Sequence, residues 1–213
     1  MTVLELRDVA TGAHERWANR PTRGGAIRRY GRDTPIGLER DAVLEVRAGV
    51  VALRVIHPDG TEVLLGLYGP GQVLIGHPED SCFLHLIAHT AVTATVRPWA
   101  EAVRGAAFPE QLRARLRAME AWSAMQARQG VEQRVLGVLS LLAEQFGVRR
   151  GAWTLVDLRL THAQLAAAVG AGRTTVTRIL GDLRARGLLA STGAGAAERF
   201  HVREWAGADH GLR

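Results

Sequence analysis

From Ala42 onward the chain alternates short apolar runs with turn residues: AVLEVRAG, VVALRVIHPDG, TEVLLGLYGPGQVLIG, then LHLIAHTAVTATVRPW. Runs of this length, rich in Val, Leu and Ile and broken by Gly, Pro and Asp, predict β-strands. Between two of them, His57-Pro58-Asp59-Gly60 supplies a fixed φ at the proline and a positive φ at the glycine, so it predicts a hairpin turn. Gly49, Gly66, Gly69 and Gly71 mark further turns. Several short antiparallel strands joined in this way predict a small barrel or jelly roll. Ahead of them, residues 1–40 carry Arg16, Arg20, Arg23, Arg28, Arg29 and Arg32 with Gly24-Gly25 and Pro35, and read as a loop-rich, solvated basic stretch.

After Pro98 the period becomes helical. From Pro109 to about Phe146 the chain has no further proline, and Leu112, Leu116 and Met119 share a face, which predicts one long helix or two in series. The apolar stripe then drifts to Trp122 and Met125 while the heptad positions become Ser123, Gln126 and Gly130. A dimerisation helix over residues 109–130 and a helix packed within one chain both fit this pattern. Val131, Val135, Val138, Leu139, Leu142 and Phe146 form a broad apolar face, so the next helix opens a second domain, with Gly130 as the joint. The boundaries expected are 1–108, 109–130 and 131–213.

The most informative stretch is residues 160–187, LTHAQLAAAVGAGRTTVTRILGDLRARG. Thr161 followed three residues later by Gln164 has the form of a capping box, so a helix should start there, and Gly170 should stop it. A second helix can begin at Gly172 and run to about Arg186 before Gly187. Its Val176, Ile179, Leu180 and Leu183 fall on one arc, leaving Arg173, Thr174, Thr177, Arg178, Gly181 and Arg184 on the other side. Two arginines near a helix start, threonines between them and no acid before Asp182 suit a helix that enters the DNA major groove by its N-terminal half. Leu188, Leu189 and Ala190, a small-residue loop, and Arg199 to Arg203 then read as two strands of a wing that can bring Arg199 and His201 to phosphates. Thr161, His162, Gly172 and Thr175 complete the candidate DNA-binding set.

Composition changes this picture little. The 213 residues are 47% apolar with a net charge of +6, enough for two domains and favourable to an anionic partner. All 27 basic residues are arginine, whose rigid fork grips phosphate or guanine bidentately. One cysteine, Cys82, excludes an intrachain disulfide and a cysteine-held cluster. The N-terminus has early acids and no apolar stretch of signal-peptide length, and no run reaches a membrane span, so a cytoplasmic location is expected.

Residues 160–202 resemble the winged helix-turn-helix of the cyclic-AMP receptor/fumarate-nitrate regulator (CRP/FNR) superfamily. The resemblance covers roughly residues 40–203, because Gly49, Gly60 and Gly71 fall where that family's roll has its turns. It implies an α+β chain: an N-terminal antiparallel β-roll of the cyclic-nucleotide-binding type, a long dimerisation helix and a C-terminal winged helix-turn-helix. Both recognition arginines of the family carry over as Arg173 and Arg178. The family's usual acid is replaced by Thr174, so the resemblance implies an operator that departs from its commonest half-site. The run from Arg173 to Arg184 is most similar to the cyanobacterial nitrogen-control branch.

The family's cyclic-nucleotide pocket uses a Gly-Glu and an Arg-Ser/Thr-Ala segment, whereas residues 76–88 here contain no arginine and place Glu79 and Asp80 where a phosphate would sit. No cyclic-AMP binding and no cofactor are expected. His77, Cys82, His85 and His89 leave haem sensing open. A cupin-type metalloenzyme using His77, Glu79, His85 and His89 is the alternative from another class, although the cupin ligand spacing is missing. A third is an interaction protein with no ligand. The expected function is a non-enzymatic transcription activator that binds double-stranded DNA as a homodimer and contacts RNA polymerase, without a small effector.

Overall fold

The computed structural model describes residues 25–76, 84–193, 195 and 198–203. The chain divides into two compact units, with the division between Glu120 and Ala121. In the first unit the alternating segments pair as two four-stranded antiparallel sheets. One has the order β1 (Ala26–Tyr30), β8 (Val92–Pro98), β3 (Ala42–Ala48), β6 (Val73–Ile75). The other runs β2 (Pro35–Ile36), β7 (Leu84–Ala88), β4 (Val51–Ile56), β5 (Glu62–Tyr68). Apart from β4 and β5, which pair with each other, neighbours along the chain fall in different sheets, and this crossing is the roll. Leu44, Val46, Val51, Leu53, Leu74, Val92 and Ala94 meet between the sheets as the core.

The predicted hairpin is present. His57 and Thr61 close it through a backbone bond of 2.9 Å, Gly60 has φ +83°, and the Asp59 carboxylate accepts the Thr61 N–H at 2.8 Å. The bonds Asp59 receives from Thr61, the backbone N–H first, favour the charged form and hold the Asp59 carboxyl below the usual aspartate range. Residues 25–40 differ from the loop expected of them. Ala26 to Tyr30 pair in register with Val96 to Val92, because AIRRY alternates half-buried and exposed positions along the sheet edge.

A short helix α1 (Trp99–Ala102) leads to the long helix α2 (Phe108–Gln126). Phe108 and Leu112 pack on Val43, Val73 and Ala102, fixing the start of α2 to the roll. One turn on, the buried Arg115 guanidinium lies 4.0 Å over the Tyr68 ring. Burial pushes the Tyr68 hydroxyl above its ordinary value, and the Arg115 charge opposes that rise.

The second unit takes the last turns of α2. Helix α3 (Val131–Phe146) starts at Gly130, which is extended with φ −85° and ψ 134°, and buries Val135, Val138, Leu139 and Leu142. A four-stranded sheet follows, ordered β11 (Leu189–Thr192), β12 (Arg199–Arg203), β10 (Trp153–Val156), β9 (Gly147–Arg150). The β9–β10 hairpin is absent from the sequence reading: all four residues of β9 are exposed, so it carries no apolar alternation. Phe200, Leu160, Leu165, Leu180 and Leu183 fill the core of this unit. No helix among the described residues is long and apolar enough to cross a membrane.

Candidate nucleic-acid interface

Helix α4 (His162–Val169) begins with the complete capping box: the Thr161 hydroxyl accepts the Gln164 backbone N–H at 3.1 Å and the Gln164 side-chain Oε1 accepts the Thr161 backbone N–H at 2.9 Å. It ends at Gly170, left-handed at φ 61°. Its last carbonyls are held from outside the helix. The Gln126 amide donates to Ala168, and Arg134 Nε donates to Val169 at 2.9 Å. These bonds fix the end of α4, from which residues 170–172 turn into the second helix.

Helix α5 (Arg173–Ala185) is capped by the extended Gly172, which offers no side-chain acceptor to the first-turn N–H groups. With no acid in that turn, the positive end of the helix stays uncompensated by its own side chains. The far end is a Schellman closure: Leu188 N–H reaches the Leu183 carbonyl, Gly187 N–H the Arg184 carbonyl, and Gly187 has φ +66°. Val176, Ile179, Leu180 and Leu183 are buried, the four positions expected to pack. Arg173, Thr174, Thr177, Arg178 and Gly181 are exposed, and Thr175 is half-buried.

The predicted site residues fall into two groups. Arg173, Thr174 and Arg178 stand on the open face of α5. Arg178 leans on Asp182 one turn along, at 3.2 Å between exposed side chains. Thr161, His162, Thr177, Arg184, Arg199 and His201 have side-chain partners inside the domain, whereas Gly172 serves as the cap of α5. Thr161 is a cap, Arg199 is paired with Asp157 at 2.9 Å, and His201 Nε2 lies 3.2 Å from the Thr192 hydroxyl across the wing strands.

His162 and Arg184 converge on Glu198, a residue the sequence did not single out. Glu198 is buried to 7% exposure; its carboxylate takes His162 Nε2 at 3.0 Å and Arg184 Nη2 in a short ion pair. Arg184 Nε also donates to Ser191 at 3.1 Å, and His162 Nδ1 lies 2.8 Å from the Thr177 hydroxyl. The pairings span 36 and 14 positions in the sequence, so no local spacing could show them.

Residues 133–206 match the model of the Crp-like helix-turn-helix domain. The global nitrogen regulator of Synechococcus elongatus is 31% identical over 157 residues, covering 67% of this chain and 70% of that protein. The chain belongs to the CRP/FNR family of transcription regulators. The global nitrogen regulator of a Nostoc species, 28% identical over 66% of this chain and 69% of its own, places the similarity in the cyanobacterial branch. The fold agrees across the family. A CRP-family transcriptional regulator of Thermus thermophilus superposes with a TM-score of 0.67 at 22% identity, covering 83% of this chain and 92% of its own. FixK2 of Bradyrhizobium japonicum gives 0.65 at 19% identity, over 85% and 93%.

The sensor alternatives rest partly outside the described residues, since His77, Glu79, Asp80 and Cys82 lie there. Of the remaining ligand candidates, His85 stands in β7 and His89 is fully buried at the turn after it. Among the described residues no group of three His, Cys, Asp or Glu is placed to hold a metal. The relatives found by sequence carry the names of regulators.

Proposed function

We propose that this CRP/FNR-family regulator binds a two-fold symmetric DNA operator as a homodimer, each chain presenting α5 to the major groove. The observation that carries this reading is the open face of α5, where Arg173, Thr174 and Arg178 are exposed beside an N-terminus free of acids. Arg173 and Arg178 read guanine edges, while Thr174 and Thr175 meet a thymine methyl or a phosphate. Arg199 and His201 in the wing contribute phosphate contacts that add salt-dependent affinity. Gly172 allows the helix start to approach the backbone closely. Thr161, His162, Thr177 and Arg184 support this surface through hydrogen bonds within the domain.

Dimerisation is assigned to α2. Leu116 and Met119, one turn apart, are 55% and 47% exposed, an unusual state for two large apolar side chains on one helix face. A two-fold pair of recognition helices then reads half-sites one helical turn apart. The protein acts in the cytoplasm as an activator in contact with RNA polymerase, without cyclic AMP or another small effector, and is no enzyme. Sedimentation equilibrium with a fluorescent operator duplex tests the assembly: two chains per bound duplex are expected. One chain per duplex, or no complex, contradicts it.

A further inference from the structure

The cluster around Glu198 joins four elements of the DNA-binding unit through one carboxylate. Glu198 immediately precedes β12, Ser191 stands in β11, His162 opens α4, and Thr177 and Arg184 lie on α5. Because the Glu198 carboxylate faces a guanidinium it is an acceptor, so the His162 nitrogen 3.0 Å away, Nε2, carries a hydrogen. The other ring nitrogen meets the Thr177 hydroxyl, whose oxygen is also 2.9 Å from the Arg173 carbonyl. The one hydroxyl hydrogen of Thr177 therefore goes to His162 Nδ1 or to the Arg173 carbonyl, and both acceptors belong to the protein. Arg184, on the same helix, spends Nε on Ser191 and Nη2 on Glu198.

We infer that Glu198 is a positioning residue for DNA recognition: it fastens the wing to both helices of the helix-turn-helix and withdraws the Arg184 charge from the DNA-facing surface. This rests on the DNA-binding reading above and goes beyond it, because Glu198 is buried and stands outside the set of residues proposed to meet DNA. Two consequences follow from the one group. The wing keeps a fixed relation to the recognition helix, which sharpens discrimination between sequences. The paired Arg184 adds nothing to sequence-blind attraction.

Glu198→Gln in the full chain removes the charge while keeping the shape. Anisotropy titrations on a duplex selected by the wild type and on a scrambled duplex, at several salt concentrations, read both consequences. The ratio of the two affinities should fall about tenfold, a loss on the scale of one mismatched base pair. Binding to the scrambled duplex should hold or tighten, with a salt slope steeper by about two, because each chain of the dimer releases one arginine as a further phosphate partner. A merely structural role weakens both duplexes by the same factor, and that result overturns the inference, as does a ratio unchanged within about twofold.

Should the variant unfold, Arg184→Gln reads the same coupling. It should lower the ratio of the two affinities by itself while the scrambled duplex is bound as before, and an unchanged ratio, or an equal loss on both duplexes, overturns the proposal. A wild type without sequence preference overturns the DNA-binding reading and this inference together. A discriminating wild type with an insensitive Glu198→Gln overturns this inference alone.

Discussion

Replacing Arg178 with alanine separates what holds the domain together from what recognises DNA. In the free protein Arg178 makes one ion pair, to Asp182 four residues on, and the two side chains are 69% and 54% exposed. An exposed helical pair of this kind contributes at most about 0.5 kcal/mol, and alanine is the better helix former. Folding stability should therefore move by less than about 0.5 kcal/mol. In a complex, a bidentate arginine on guanine gives roughly 1 to 3 kcal/mol of discrimination, and a symmetric dimer loses it twice. Affinity for the selected operator should fall by about 2 to 6 kcal/mol, and the preference at one base pair per half-site should relax. Fluorescence anisotropy on the operator and on every single-base variant of one half-site measures this. A loss of equal size on all duplexes assigns Arg178 to a phosphate, and no loss refutes the placement of α5 in the groove.

Four further changes test the architecture. Thr161→Ala breaks the capping box and should cost about 1 kcal/mol in denaturant unfolding, with no change in oligomeric state. Gly147→Ala places a methyl group 2.0 Å from the Ala143 carbonyl oxygen and 2.4 Å from Thr154, so the second unit should lose several kcal/mol in the same assay. Leu116→Glu with Met119→Glu should convert the dimer to monomer by light scattering while leaving the far-ultraviolet spectrum unchanged, since both side chains are exposed in the single chain. Tyr68 has its hydroxyl raised above its ordinary value near 10 by burial, so the folded state favours the neutral form. Stability is then fully present below that value and declines as the pH rises through the higher, folded one, and Tyr68→Phe should flatten the decline in alkaline unfolding curves.

Local periodicity carried most of the fold. The turn at Pro58 to Gly60, the helix starts at Thr161 and Gly172, and the packing face of α5 are written in residues a few positions apart, where one steric or hydrogen-bonding rule decides. The β9–β10 hairpin escaped because GVRR has no buried face to alternate against, and it forms by pairing with WTLV. β1 escaped for a related reason: adjacent Arg28 and Arg29 hide the alternation that its pairing with β8 reveals. The exposed arginines of the site were legible as the polar side of an amphipathic helix. What the sequence could not show is which polar side chains already have partners. His162 and Arg184 look the same as Arg173 on a helical projection, and only the fold brings Glu198 beneath them.

Recognition of a symmetric DNA sequence through paired α5 helices, without an added effector, can be measured by selection from a randomised duplex pool with the purified protein alone. Enrichment of one inverted repeat, with half-site centres one helical turn apart at about 34 Å, is the predicted result. Recovery of a pool with no shared or symmetric sequence would contradict it.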